Sequence, residues 1–216
     1  MDKSGPGWWC KMRADLYVVA APSGGGKTSL INALLEKDER VSLSVSYTTR
    51  TARPGEKDGV HYHFVDKPTF IGLIANNAFL EHAEVFGHRY GTGRDAVEKK
   101  LRAGFDVLLD IDWQGARQIR KSFPSCCTIF ILPPSLEVLR NRLAGRGQDS
   151  EEVIERRMSE ARAEISHSSE FDYQIINDDF DKALADLQSI VRHRKLHRPD
   201  QKDHYEELMA ELQENR

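Results

Sequence analysis

Eight residues near the N-terminus have the spacing of a phosphate-binding loop. They are Ala21, Pro22, Ser23, Gly24, Gly25, Gly26, Lys27 and Thr28, and they depart from the pattern G-x-x-x-x-G-K-[ST] only at the alanine. Glycines let backbone N–H groups turn toward phosphate oxygens, Lys27 can reach β- and γ-phosphates, and the Thr28 hydroxyl can ligate Mg²⁺. An ordinary glycine-rich turn is the less favoured alternative, because an apolar run precedes the loop and a helical run follows it.

Two carboxylates follow a strongly apolar run further along the chain. Residues 105–112 predict a buried strand, and Asp110 and Asp112 are two apart, so they would point to one face at its C-terminal end. That end is where open parallel sheets bind ligands. We expect Asp110 to hold Mg²⁺ directly or through water. Asp112 is then free for another role, although it could equally cap the next helix.

Arginines are concentrated in two further segments. Arg50 and Arg53 lie in a hydroxyl-rich loop and could grip a phosphate bidentately, although two solvated surface arginines are the simpler alternative. The stretch 140–157 is basic and is interrupted by glycines on both sides of Arg146. Arginines on such a mobile lid could close over a phosphoryl group during transfer.

Strand and helix signals alternate along the chain, which predicts an α/β fold with a parallel sheet flanked by helices. The stretch 46–102 is richer in polar and turn residues, and alternation at 61–65 predicts a small antiparallel sheet within an insertion. Ser135 and Asp149 are the predicted N-caps of two helices. The predicted strands are 16–20, 105–112, 128–132 and 173–176, and the predicted helices begin near 28, 114, 136, 150, 182 and 203.

Composition limits the class of protein further. The chain has 216 residues, 39% of them hydrophobic and 30% charged, with a net charge of −3 and three cysteines. These values indicate one compact domain and argue against a disulfide framework or a nucleic-acid binder that relies on bulk positive charge. With no apolar stretch near the length of a membrane span, we expect a cytoplasmic protein with no nucleic-acid or membrane partner. A homo-oligomer is left open.

The ordered motifs together resemble the guanylate kinase family, and in particular its bacterial members. The resemblance extends from residue 16 to about residue 194. The motifs that carry it are 21–28, Ser44 to Arg50, Arg53 to Glu56, Phe79 to Glu81, Tyr90 to Thr92, Leu109 to Gly115, Gly145 to Gly147 and Ile176 to Asp179.

This resemblance implies a role for each matching residue. GMP would be bound by Ser46, Arg50, Arg53, Tyr62, Glu81, Tyr90, Thr92 and Asp112. Among these, Glu81 and Asp112 would accept hydrogen bonds from the guanine edge, and the arginines and tyrosines would hold the phosphate. Catalysis would fall to Lys27, Arg142, Arg146 and Arg157. ATP would bind residues 21–28 and Asn177, with Mg²⁺ near Thr28 and Asp110.

The expectation is therefore a P-loop kinase that transfers the γ-phosphoryl group of ATP to GMP, and to dGMP. Its parts would be an N-terminal extension (1–14), a core (15–45, 103–139 and 158–200), a GMP-binding insertion (46–102), a helical lid (140–157) and a C-terminal helix (201–216). Two alternatives stay open: a guanylate-kinase-like module that binds peptides, and a kinase for another small molecule on the same core.

Overall fold

The main sheet has five parallel strands. A computed structural model describes residues 14–85, 87–145 and 150–214. The strands lie in the order β2 (Val41–Leu43), β7 (Asp106–Asp110), β1 (Leu16–Ala20), β8 (Cys127–Leu132) and β9 (Tyr173–Ile176). Because every pair is parallel, the carboxyl ends of all five strands lie at one edge of the sheet. This agrees with the predicted fold class.

Helices cover both faces of this sheet, and β1 shows how the core is divided between them. Tyr17 and Val19 pack with α1 and α7, whereas Leu16, Val18 and Ala20 pack with α3 and α4 on the other face. The alternation follows from the period of two along a strand. The helices are α1 (Lys27–Lys37), α2 (Lys67–Ala75), α3 (Arg94–Arg102), α4 (Trp113–Ser122), α5 (Leu136–Ala144), α6 (Glu151–Ile165), α7 (Phe180–Leu196) and α8 (Pro199–Glu214).

A second, mixed sheet is built from the segment between β2 and α3. Its order is β4 (His63–Phe64), β3 (Ser46–Thr48), β6 (His88–Gly93) and β5 (Phe79–Val85). β3 is antiparallel to β6, and β6 is antiparallel to β5, but β4 pairs with β3 in parallel. The sheet predicted from residues 61–65 therefore exists, although its β4 strand is short and parallel.

Two local predictions differ from the structure. The strand predicted over 105–112 ends at Asp110, because Asp112 is already the N-cap of α4 and accepts a hydrogen bond from the Gly115 N–H. The N-cap of α6 is Ser150. The predicted cap Asp149 lies outside the described residues. By contrast, Ser135 caps α5 as predicted, through a hydrogen bond from the Val138 N–H.

In the described part of the chain, no helix has both the length and the apolar character needed to cross a membrane.

Candidate active site

The glycine-rich loop joins the end of β1 to the start of α1. Gly24 and Gly26 have φ of 86° and 92°, conformations that favour glycine, and the Gly25 N–H donates to the Pro22 carbonyl at 2.9 Å. Ala21 does not have a positive φ, since Asn77 is the one non-glycine residue among those described that does. Position 21 therefore does not require glycine. The departure from the loop pattern at position 21 is therefore sterically harmless.

Side chains from α5, α6 and the end of β9 support this loop. Asn177, only 6% exposed, donates from Nδ2 to the Gly25 carbonyl at 2.9 Å, and Arg142 donates to the Asn177 carbonyl at 3.1 Å. Arg157 donates to the Ser23 hydroxyl at 3.1 Å. Three of the residues predicted for ATP binding or catalysis are thus brought to the loop. Arg146 lies outside the described residues.

Lys27 forms an ion pair with Asp110, which ends the neighbouring strand β7. Burial opposes the charge of Lys27, but the attraction of Asp110 and their hydrogen bond outweigh it and raise the pKa of the lysine. The lysine is therefore charged and already at the carboxyl edge of the sheet, where a phosphate would meet it.

The oxygen donors around this ion pair fit Mg²⁺. Thr28 is exposed in the first turn of α1, and the Asp110 side chain keeps 30% of its surface accessible. Mg²⁺ in phosphate-transfer sites is usually held by one or two protein oxygens together with substrate phosphates and water. In the described ranges no three or more His, Cys, Asp or Glu side chains are grouped so that they could hold a metal ion.

A polar row crosses three strands of the second sheet. Thr92 on β6 lies opposite Ser46 on β3 and opposite Glu81 on β5, so the three side chains share one face. All three are buried, and the Thr92 hydroxyl donates to Glu81 Oε1 at 2.6 Å. Tyr47 points to the other face, where its ring packs against His63 and Phe79. It therefore does not line this row.

Two carboxylates converge at the end of the row. Burial raises the pKa of Glu81 to about 7; the Thr92 hydrogen bond opposes this shift and the negative charge of Asp112 adds to it. A Cβ on Gly115 would lie 2.6 Å from Glu81 Oε2, so the glycine allows α4 to approach the carboxylate. Asp112 caps α4 and also accepts a hydrogen bond from Gln114 at 3.0 Å.

A cationic and aromatic cluster lies beside the row. The Arg50 guanidinium is 5.4 Å from the centre of the Tyr62 ring, and Tyr62 and Tyr90 are in edge contact at 6.0 Å. Tyr90 occupies the same face as Thr92, two residues away on β6. Arg53 is exposed on the adjoining loop. Four residues predicted to hold one phosphate are therefore grouped on this side.

The second sheet comes close to the glycine-rich loop at Tyr62. Burial raises the pKa of Tyr62, and so does the charge of Asp110, whereas the charge of Lys27 lowers it. These electrostatic effects place the tyrosine of the second sheet within range of the glycine-rich loop. The Lys27 and Tyr62 side chains are therefore close enough for each to affect the pKa of the other.

Sequence reasoning missed two carboxylates in this region. Glu56 binds Arg50, and Glu164 on α6 has a buried Oε2 without a hydrogen-bond partner in the described chain. Burial raises the pKa of Glu164 to about 7, Lys27 and the Ser23 N–H oppose this rise, and Asp112 adds to it. The sequence did contain a signal for Glu164: it lies seven residues after Arg157, a spacing that puts both side chains on the same face of a helix.

A parallel sheet with a glycine-rich loop, a lysine–aspartate pair and a second, acceptor-lined pocket defines a P-loop phosphotransferase. The family described as guanylate kinase matches residues 13–194. Guanylate kinase of Alkalilimnicola ehrlichii is 63% identical over 186 residues, which cover 85% of this chain and 92% of that protein. Guanylate kinase of Vibrio cholerae is 57% identical over 202 residues, covering 93% and 98%.

A solved structure agrees with these sequence matches. The crystal structure of guanylate kinase from Anaplasma phagocytophilum superposes with a TM-score of 0.72 and 37% identity, covering 86% of this chain and 88% of that one. The chain belongs to the guanylate kinase family.

The pKa of Glu81 can be measured directly. We expect its carboxyl carbon to titrate near 7 in the ligand-free protein, and Thr92→Val to raise that pKa further, because the hydroxyl donates to the charged form. Carbon-13 NMR of labelled glutamate measures both. Glu170, whose pKa the Arg117 hydrogen bond lowers to about 2, is the internal control and should not move. Titration of Glu81 near its ordinary value of 4.5 would contradict the burial described here.

Proposed function

We infer that this protein is a guanylate kinase, which transfers the γ-phosphoryl group of ATP to GMP and yields ADP and GDP. The observation that carries this conclusion is the closeness of the buried Glu81 carboxylate to the half-buried Asp112, whose charge adds to the raised pKa of Glu81. We extend the acceptor to dGMP, because the roles proposed here for Ser46, Glu81, Thr92 and Asp112 are toward the base and those for the arginines and tyrosines are toward the phosphate, with no role assigned toward the ribose 2′-hydroxyl.

Guanine and this pocket match in hydrogen-bonding chemistry. The base edge presents N1–H and the N2 amino group as donors, and ionised carboxylates offer only acceptors. Adenine has no N1–H, so it would leave a partly buried carboxylate unpaired, at a cost of about 1–3 kcal/mol. Donors on the guanine favour the charged form of Glu81, so GMP should lower the pKa that burial has raised. Ser46 and Thr92 complete the base site in this proposal.

The phosphate of GMP is assigned to the cationic and aromatic cluster. Arg50, Arg53, Tyr62 and Tyr90 supply guanidinium and phenol donors there, a combination suited to a phosphate dianion. A phosphate oxygen is already an anionic nucleophile, so the transfer needs alignment and charge stabilisation and no general base. Closure of the two halves would expel water and favour transfer over hydrolysis.

The phosphates of ATP are assigned to residues 21–28. Lys27 would move its hydrogen bond from Asp110 to the β- and γ-phosphates, and Asn177 would continue to hold the loop from behind. Bound Mg²⁺ would neutralise phosphate charge from a position near Thr28 and Asp110. Arg142, Arg146 and Arg157 would stabilise charge on the transferred group from the lid side. We propose residues 140–157 as that lid and 46–102 as the GMP-binding part.

A coupled assay of ADP release tests the function. With ATP and Mg²⁺ in excess, GMP and dGMP should be turned over, and AMP and UMP should not. A peptide-binding module of this fold would turn over none of them, and a kinase for another acceptor would ignore GMP. Absence of turnover with GMP at millimolar ATP would therefore overturn the proposal.

Lys27→Ala should lower kcat with GMP at least about 100-fold, because a donor aimed at developing phosphate charge is lost. GMP affinity, measured by calorimetry without ATP, should change less than about threefold, since Lys27 is placed on the ATP side. Lys37→Ala removes an exposed lysine from the far end of the same helix and is the matched control. Equal loss of GMP affinity and turnover would refute the division into two substrate sites.

Asp112→Asn distinguishes the role of Asp112 as the N-cap of α4 from its proposed role as a hydrogen-bond acceptor for the guanine base. Asparagine is as good an N-cap as aspartate, so α4 should stay intact while one acceptor oxygen becomes a donor. We expect the ratio of kcat/KM for GMP over AMP to fall about tenfold or more. Asp66→Asn, at the N-cap of α2, makes the same change without an expected role in base recognition. An unchanged GMP preference would show that the base is recognised by other groups.

A further inference from the structure

The loop that carries the two phosphate-site arginines is folded around one carboxylate. The Glu56 N–H donates to the Arg53 carbonyl at 3.0 Å, and Glu56 Oε2 accepts the Arg53 N–H at 2.7 Å. Gly55 has φ of 87° and follows Pro54, the arrangement of a type II turn. Glu56 thus fixes the backbone on both sides of the turn that presents Arg53.

The other carboxylate oxygen of Glu56 binds Arg50. Glu56 Oε1 accepts from Arg50 Nη2 at 2.8 Å, and Arg50 Nη1 donates to the Thr51 carbonyl at 2.7 Å. The Arg50 and Glu56 side chains are only 12% and 18% exposed. The guanidinium is therefore held from two directions while it lies over the Tyr62 ring.

The remaining capacity of Arg50 still suits a phosphate. A guanidinium has five N–H donors, so the bonds to Glu56 and Thr51 leave others available. The Arg50 hydrogen bond lowers the pKa of Glu56 to about 2, which keeps the carboxylate charged near neutral pH. With two arginines and one glutamate, the loop retains a net positive charge for the incoming anion.

We propose that Glu56 is a positioning residue for the acceptor phosphate: through one carboxylate it holds the Arg50 guanidinium and the Arg53 backbone in the geometry that binds GMP. This inference rests on the proposed function, since it assumes that the phosphate of GMP binds Arg50 and Arg53. Because Arg50 is ordered before the ligand arrives, binding does not have to immobilise a long flexible side chain. A carboxylate that only weakened phosphate binding by repulsion would have the opposite effect on affinity.

Steady-state kinetics of Glu56→Ala and Glu56→Gln distinguish these roles. Positioning predicts that Glu56→Ala raises the KM for GMP about tenfold or more and leaves the KM for ATP within about twofold. Glu56→Gln keeps the shape and one acceptor oxygen, so its KM for GMP should lie between wild type and Glu56→Ala. A KM for GMP that is unchanged or lower in both variants would overturn the proposal.

Asp66→Ala is the matched structural control. Asp66 also accepts a backbone N–H, from Thr69 at 2.8 Å in the same part of the chain, but the described hydrogen bonds show it holding the start of α2 and no arginine. Both alanine variants should lose some thermal stability, whereas only Glu56→Ala should raise the KM for GMP. An equal rise in both would mean that the effect is merely structural.

A double-mutant cycle tests whether Glu56 acts through Arg50. In an Arg50→Ala background, Glu56→Ala should change the KM for GMP less than about threefold further, because the guanidinium is already gone and only the hold on the Arg53 backbone is left to lose. Full multiplication of the two effects would overturn the positioning role. If wild type phosphorylates GMP and the Glu56 variants match it, this inference alone fails; if wild type does not phosphorylate GMP, the proposed function fails with it.

Discussion

The ion pair of Lys27 with Asp110 is the interaction on which the site depends. A cation prepared for phosphates must be stable before the phosphates arrive, and a buried charge without a partner would lose its proton or destabilise the fold. Asp110 supplies that partner because β7 lies next to β1 in a parallel sheet, which brings the end of one strand beside the loop that follows the other. The topology of the sheet therefore creates the pair.

The second sheet also has a cation that is paired with a carboxylate before any substrate binds. Arg50 is also held by a carboxylate, Glu56, while the ring of Tyr62 covers one side of the guanidinium. Each carboxylate holds a cation in place before a substrate arrives. In the proposed function Lys27 turns from Asp110 to the ATP phosphates, whereas Arg50 keeps its bond to Glu56 and binds the GMP phosphate with its remaining donors. Beside the Lys27–Asp110 pair, α6 carries Arg157 and Glu164 on one face, with Arg157 bonded to Ser23 of the glycine-rich loop. A movement of α6 would therefore change the hydrogen bond between Arg157 and Ser23 in that loop.

Local patterns predicted most of the fold. The apolar runs gave β1 and β9 with correct limits, and the caps and periodicity located most helices to within a few residues. Asp112 was misplaced in a strand because the sequence did not distinguish the last residue of the strand from the N-cap of the helix that follows.

The polar row could not be predicted from local patterns, because it depends on how the strands are paired. Ser46 and Thr92 are far apart in the chain, and only the register of β3 with β6 puts them opposite each other. Their grouping came from resemblance alone. Glu56 ends one of the motifs, but its contact with Arg50 depends on how the turn at Pro54 and Gly55 closes.

A crystal structure of the protein with GMP bound tests the central claim most directly. The account predicts the guanine edge within hydrogen-bonding distance of Glu81 and Asp112, and the phosphate on Arg50, which still binds Glu56. A base that contacts neither carboxylate, or a phosphate bound on the Lys27 loop in place of the Arg50 cluster, would contradict it.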